Sequence, residues 1–278
     1  MISDGNRWLY IGDKIPLGTY HQIHSAFPKV VNFVAGDIIV SLANTKMNLT
    51  PFMIETNLFQ VNEVKSLALN KDAVIIDGTA IYPYSYDDLY ESRVLINPPE
   101  EEFIRARIAQ LKRLFIQQKH CSILKDILAA STPKSYDSAF EEELIVEFKR
   151  AYGYLLSGNY ASAVAGFKGR GVGFTPAGDD FNIGLLLGMG IRQMTEKKEL
   201  SKIKDSIYTL ARGKSLPVNT FLYQAYHGFY NFAWKMLIYA VFSEKHDLSS
   251  DMQNVLTFGA SSGADTITGF VSAWDLPV

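Results

Sequence analysis

Cysteine is nearly absent from this chain of 278 residues. The single one, Cys121, excludes an intramolecular disulfide and any cysteine-built zinc cluster. An excess of one charge is equally missing: 27 Lys and Arg stand against 29 Asp and Glu, a formal net charge of −2. That balance offers no basic footprint for nucleic acid or an anionic membrane. Long hydrophobic runs are also lacking. The stretch Leu185–Ile191 is interrupted by glycine and followed by Arg192, well short of a membrane span. Met1–Asn6 has no basic-then-apolar leader pattern. These absences lead us to expect a soluble, cytoplasmic protein with neither nucleic acid nor membrane as partner.

Several chemical signatures are missing too. No Gly-Lys-Ser/Thr follows a glycine loop, no dinucleotide glycine spacing follows a strand, and no Gly-x-Ser-x-Gly elbow occurs. The histidines make a poor ligand set. His21 and His24 lie three apart without a helical period, His227 reads as a core residue among aromatics, and His120 and His246 read as surface.

What is present is an ordinary apolar content of 47%, ample for a core in one large or two small domains. Up to about residue 95 the pattern is β-rich. Val30–Val34 and Ile38–Leu42 form one hairpin, Pro51–Glu55 a short strand, and Val74–Ile76 with Ala80–Tyr82 a second hairpin around Asp77-Gly78. Pro98-Pro99 marks a change of character. Ile104, Ile108, Leu111 and Phe115 then recur at helical spacing, with Arg105, Arg107, Lys112 and Arg113 as solvated charge. A second helix buries Leu144, Phe148, Ala151 and Leu155, and a short one covers Ala161–Ala165. Further helices are expected after Asp180, near 196–212, as one aromatic-rich helix from Phe221 to about Phe242 capped by Asn219-Thr220, over 248–258, and from Asp265 to Trp274. Strands do not alternate with helices, so the class is α+β. A β-rich domain over 1–98 precedes a mainly helical domain over 99–278.

One stretch concentrates special residues: Gly169-Arg-Gly-Val-Gly-Phe-Thr-Pro-Ala-Gly-Asp-Asp-Phe-Asn-Ile-Gly184. Glycines at 169, 171 and 173 lead into a type I turn at Thr175–Gly178, then into Asp179, Asp180 and an apolar helix from Phe181. A glycine loop feeding a helix start gathers backbone N–H groups around a ligand. One helix needs one cap, so the second carboxylate calls for another role. N–H donors beside carboxylates suit a ligand with both amide N–H and anionic oxygen, or a metal–phosphate. Arg170 could add a bidentate clamp or be solvated. The last helix echoes the pattern: Gly263-Ala-Asp265-Thr-Ile-Thr-Gly269 matches Gly178-Asp-Asp180-Phe-Asn-Ile-Gly184 without a gap. Asp180 and Asp265 are then equivalent, the two helix starts could face one pocket, and Gly184, Gly188 and Gly269 are sites of close helix approach.

Gly171-Val-Gly-Phe-Thr-Pro-Ala-Gly-Asp-Asp180 resembles the hallmark Gly-x-Gly-[Leu/Phe]-Thr-Pro-[Ser/Ala]-Gly-Asp-Asp of a bacterial family long catalogued as a domain of unknown function. That family includes the AllH-type subunit of oxamate carbamoyltransferase, from anaerobic allantoin breakdown. The resemblance extends to Asn219–Ala225 and Ser261–Asp265, and departs at Ala177 and Thr220, where Ser is expected. It implies phosphorolysis of oxalurate to oxamate and carbamoyl phosphate by a complex of several subunits.

The leading expectation is therefore a carbamoyltransferase subunit acting on a small ureido or amide acid or carbamoyl phosphate, beside other subunits. Asp179 and Asp180 are the catalytic candidates, with Asp179 handling a proton or facing a metal. Gly171, Gly173, Thr175, Gly178, Thr220, Ser262, Gly263 and Asp265 are the substrate-binding candidates. No metal ligand is assigned and no cofactor named, with Mg²⁺ held open. The alternatives are a non-catalytic metabolite-binding or scaffold subunit, and a Mg²⁺-dependent phosphate or nucleotide enzyme.

Overall fold

The computed structural model describes residues 8–44, 49–119, 122–128, 136, 138–196 and 200–277. Cys121, His120 and Met1–Asn6 lie outside the described residues. The chain divides into two compact units, one of residues 1–93 with 229–235 and one of 94–228 with 236–278.

The first unit is built on sheets. One runs β10-β1-β6-β5-β4-β3, from β1 (Leu9–Gly12), β3 (Ile23–Phe27), β4 (Val30–Ala35), β5 (Ile38–Ala43), β6 (Met53–Thr56) and β10 (Leu89–Tyr90). The other runs β2-β7-β8-β9, from β2 (Gly18–Tyr20), β7 (Leu67–Leu69), β8 (Ala73–Ile76) and β9 (Ala80–Pro83). Both expected hairpins form. Gly36 turns β4 into β5, and Asp77 (φ 51°) with Gly78 (φ 71°) turns β8 into β9, the paired positive φ of a type I′ turn. Val31, Phe33, Val40, Leu42, Ile54 and Val74 are fully buried in this unit's core.

The second unit is helical. Helix α1 (Glu101–Ile116) buries Ile104, Ile108, Leu111 and Phe115, and α2 (Ala139–Leu156) buries Leu144, Phe148, Ala151 and Leu155, the stripes read from spacing. Two α1 cations are not merely solvated, as expected. Arg107 donates to the Ala240 carbonyl, and Lys112 pairs with Asp275 at 2.8 Å. After α3 (Tyr160–Phe167) come α4 (Ala177–Glu196), α5 (Ser201–Ala211), α6 (Leu216–His227), α7 (Phe232–Phe242, of which residues 236–242 belong to this unit), α8 (Leu248–Leu256) and α9 (Ser262–Ser272).

Three boundaries correct the sequence reading. Helix α4 starts four residues before Phe181, because the turn expected at Thr175–Gly178 closes one residue later, at Pro176–Asp179, as the first helical turn. The Asp179 and Asp180 N–H groups already donate to the Pro176 carbonyl, at 2.9 and 3.0 Å. The single long aromatic helix is two, since Gly228 adopts φ 68° and stops α6, while the Asn231 side chain accepts from Trp234 N–H and opens α7. Ser215, not Asn219-Thr220, caps α6. Asn219 instead makes two hydrogen bonds to the Gly213 backbone, at 3.0 and 2.9 Å. His227, expected in the core, is exposed at the end of α6 and packs its ring on Tyr223 and Tyr226.

Candidate functional site

Helices α4 and α9 hold each other by backbone contact. A Cβ on Gly184 would lie 1.9 Å from the Thr266 carbonyl oxygen, and one on Gly269 would lie 2.0 Å from that of Phe181. Only glycine at both positions permits this approach. Counted along each helix, Gly178 and Gly263 are both second, Asp180 and Asp265 both fourth, and Gly184 and Gly269 both eighth. The second-position glycines match in packing as well. A Cβ on Gly178 would strike the Phe167 carbonyl at 1.9 Å, and one on Gly263 the Val255 carbonyl at 2.1 Å, each at the end of the preceding helix. The sequence echo is thus a structural one, helix–link–helix repeated and locked through its glycines.

The links differ. Between α3 and α4 the chain passes Gly169 (φ 70°), Gly171 (φ 110°) and Gly173 (φ 106°), backbone conformations that favour glycine. Lys168 anchors the near end, donating to the Leu210 carbonyl at 2.8 Å and to that of Arg212. Gly178 N–H closes the loop onto the Arg170 carbonyl at 2.9 Å. The N–H groups of Gly171, Val172 and Gly173 make no hydrogen bond to the described residues. The loop side chains Val172 and Phe174 stand 79% and 51% exposed. Arg170 lies 3.6 Å from Glu147.

Each carboxylate has its own setting. Asp179 accepts the Gly169 N–H at 2.9 Å, which ties the first turn of α4 to the start of the loop. Burial raises its pKa, against that N–H and the Lys168 charge. Asp180 is 5% exposed and accepts the Thr175 hydroxyl at 3.0 Å, while Thr175 Oγ1 lies 3.2 Å from Ser262 Oγ at the start of α9. Burial lifts Asp180 to about 8; Ser262 and Thr175 oppose the shift, and the charges of Asp265 and Asp179 add to it. Asp265 is fully buried. Burial lifts it to about 7, against the Ser122 and Ser261 hydroxyls. Ser122 donates to Oδ1, whereas Oδ2 has no hydrogen-bond partner among the described residues. No ion pair reaches Asp180 or Asp265 among the described residues.

The structure therefore brings Thr175, Asp180, Ser262 and Asp265 together, with Gly178 and Gly263 as packing contacts beneath them. Gly171 and Gly173 shape the loop, and Gly173 is exposed. Thr220 is buried in α6 and donates its hydroxyl to the Leu216 carbonyl at 2.8 Å. Two residues escaped sequence reasoning. Ser122 is 143 positions from its partner, and nothing in its local pattern marks it. Asn182 is fully buried with both amide atoms unpaired; its signal was a lone polar residue inside an apolar helix.

As for Mg²⁺, no three His, Cys, Asp or Glu side chains among the described residues group so as to hold a metal ion. A divalent ion here would take most ligands from water or phosphate. A surface depression in the sheet unit, lined by Ile23, Phe59, Val64 and Lys65 among others, holds none of these carboxylates. The chemistry points to the helix starts instead.

The family comparison falls on the same ground. Residues 167–274 match the model for oxamate carbamoyltransferase subunit AllH. That segment is similar to the AllH family. It contains the glycine loop, both helix starts and both glycine contacts of the repeat, while Ser122 and the strands of the sheet unit lie outside it. No curated protein and no solved structure matches the chain. No helix among the described residues is long and apolar enough to cross a membrane.

Proposed function

We propose that the chain is a cytoplasmic subunit of a carbamoyltransferase of the oxamate carbamoyltransferase type, and that the paired starts of α4 and α9 form its substrate site. The observation that carries this reading is the link Asp180–Thr175–Ser262, which joins the two helix starts through hydrogen-bonding groups at 3.0 and 3.2 Å. Unpaired N–H groups on the loop suit the anionic end of oxalurate or phosphate, since they add fixed donors at the positive end of a helix. The carboxyl and hydroxyl groups behind them suit the N–H groups of a ureido or carbamoyl end. Asp179 already serves the Gly169 N–H, so we assign proton handling to Asp180 and a supporting role to Asp179.

The test is Asp180→Asn in the reconstituted complex, assayed for phosphorolysis of oxalurate. Loss of turnover on the order of a hundredfold or more is expected for a proton-handling group. Wild-type turnover in the folded variant removes Asp180 from the mechanism.

A second reading has an observation of its own. The exposed Val172 and Phe174 on the loop suit a chain that binds a metabolite and presents it to a partner subunit. Calorimetry of the isolated chain with oxalurate, oxamate and carbamoyl phosphate, with and without Mg²⁺, separates the two. Binding without turnover, with activity restored by partners, favours the binding subunit.

A further inference from the structure

Exposure decreases stepwise into the α4–α9 cluster. Thr175 and Ser262 are half-buried, Asp180 is 5% exposed and Asp265 is fully buried. A ligand arriving from solvent meets the two hydroxyls first. Both serve the same carboxyl: Thr175 Oγ1 lies 3.0 Å from Asp180 Oδ2, Ser262 is also hydrogen-bonded to Asp180, and the two hydroxyl oxygens are 3.2 Å apart. The charged and titratable groups around Asp180 are Asp265 from α9 and Asp179 from α4, with Lys168 at the end of α3 acting on Asp179. Neither Lys168 nor any other cation among the described residues forms an ion pair with Asp180 or Asp265. Asp265 Oδ2 also lacks a hydrogen bond within normal distance among the described residues. Three buried carboxyl groups without a paired cation cannot all be ionised at low cost.

We infer that Asp180 is a buried proton store that exchanges with a bound ligand only through the hydroxyls of Thr175 and Ser262. Burial keeps the proton on Asp180, and the charge of Asp265, held through Oδ1 by Ser122, adds to that effect. The identity of the ligand rests on the reading in the preceding section; the stored proton does not.

With oxalurate and hydrogen phosphate as ligands, the step balances as follows. A phosphate oxygen forms a bond to the carbamoyl carbon while the bond from that carbon to the oxamate nitrogen breaks. The leaving nitrogen takes the proton of the Ser262 or Thr175 hydroxyl, and that hydroxyl takes the proton of Asp180. The proton given up by hydrogen phosphate returns to the Asp180 carboxylate. Nothing is oxidised or reduced, and both hydroxyls end as they began.

The store is tested without ligand by infrared titration of the full-length protein. A carbonyl stretch of protonated carboxyl should be present at neutral pH and vanish as the pH rises through about 8. The component titrating near 8 should be missing in Asp180→Asn, which leaves only the Asp265 component near 7, and should be shifted in frequency in Thr175→Val and Ser262→Ala. Absence of a band titrating in this range, or its persistence unchanged in Asp180→Asn, overturns the store. The relay is tested in the reconstituted complex. Each single variant should keep part of the turnover, while Thr175→Val with Ser262→Ala should lose roughly 10²- to 10⁴-fold in kcat with little change in KM for oxalurate. Thr175→Ser in the Ser262→Ala background should restore most of the loss. Wild-type kcat in the double variant overturns the relay and leaves the carbamoyltransferase reading standing. No oxalurate phosphorolysis by the wild-type complex overturns that reading, and the infrared result still judges the store.

Discussion

Removing the Asp180 carboxyl should flatten the pH dependence of stability on the alkaline side. In the folded chain Asp180 keeps its proton to about 8, whereas an exposed Asp in the unfolded chain releases it near about 4. Between those values the folded state binds more protons than the unfolded one, so stability falls as pH rises and this contribution is lost through the folded value. The slope for one group is roughly 1.4 kcal/mol per pH unit, so wild type should lose roughly 2 kcal/mol through Asp180 between about pH 6 and about pH 8. At about 2–4 °C per kcal/mol for a chain of this size, that is a fall in Tm of roughly 5 °C. In Asp180→Asn the amide still accepts from Thr175 but cannot ionise, so this part of the fall disappears. Asp265, at about 7, titrates in the same window and is present in both proteins, so the difference between the two curves reports Asp180. Scanning calorimetry of both proteins at several pH values makes the comparison. Parallel curves would refute the reasoning, because they would mean that Asp180 is ionised in the folded chain throughout.

Three further outcomes follow from contacts already described. Gly269→Ala places a Cβ 2.0 Å from the Phe181 carbonyl oxygen, so the helices must part; a loss of about 2 kcal/mol or more is expected in urea unfolding, against a gain of about 0.5–1 kcal/mol for Gly153→Ala in the exposed interior of α2, where a Cβ meets nothing within 4 Å. Ser122→Ala removes the donor to Asp265 Oδ1; it should cost about 1–3 kcal/mol and move the Asp265 titration upward, as seen by carboxyl infrared or NMR. Asn182→Leu replaces a fully buried amide with two unpaired atoms by an apolar group of similar size; unfolding free energy should stay level or rise by about 1 kcal/mol, and a large loss would show that the amide has a partner in solution.

Much of this was legible in the chain, and the failures share a cause. Local chemistry marked the hairpins, because Asp77-Gly78 is a turn that few other residue pairs can form. The α1 and α2 stripes followed from period alone. The repeat was readable because Gly178, Asp180 and Gly184 recur at the same offsets as Gly263, Asp265 and Gly269, and the glycine contacts supply the physical reason for that spacing. The aromatic helix was read too long because apolar density concealed a stop at Gly228 and a cap at Asn231, both local signals overridden by periodicity. Position α4 was read too late because a type I turn and a first helical turn share backbone angles. Arg107, Lys112 and Ser122 were misread or missed because their partners, Ala240, Asp275 and Asp265, lie more than a hundred residues away. No short window of sequence contains such a pair.

The reciprocal seating of Gly184 and Gly269 has a mechanical consequence. Where two helices meet through side chains, small rotamer changes let them slide; here peptide groups meet peptide groups, with nothing soft between them. The spacing of α4 and α9 at this contact is therefore set by backbone and cannot be widened by side-chain adjustment. If the proposed site is right, adjustment to ligands of different length falls to the run from Gly169 to Gly173, whose glycines have conformational freedom that other residues lack. Retuning this site for a new ligand should succeed through the loop and fail through the helix contact.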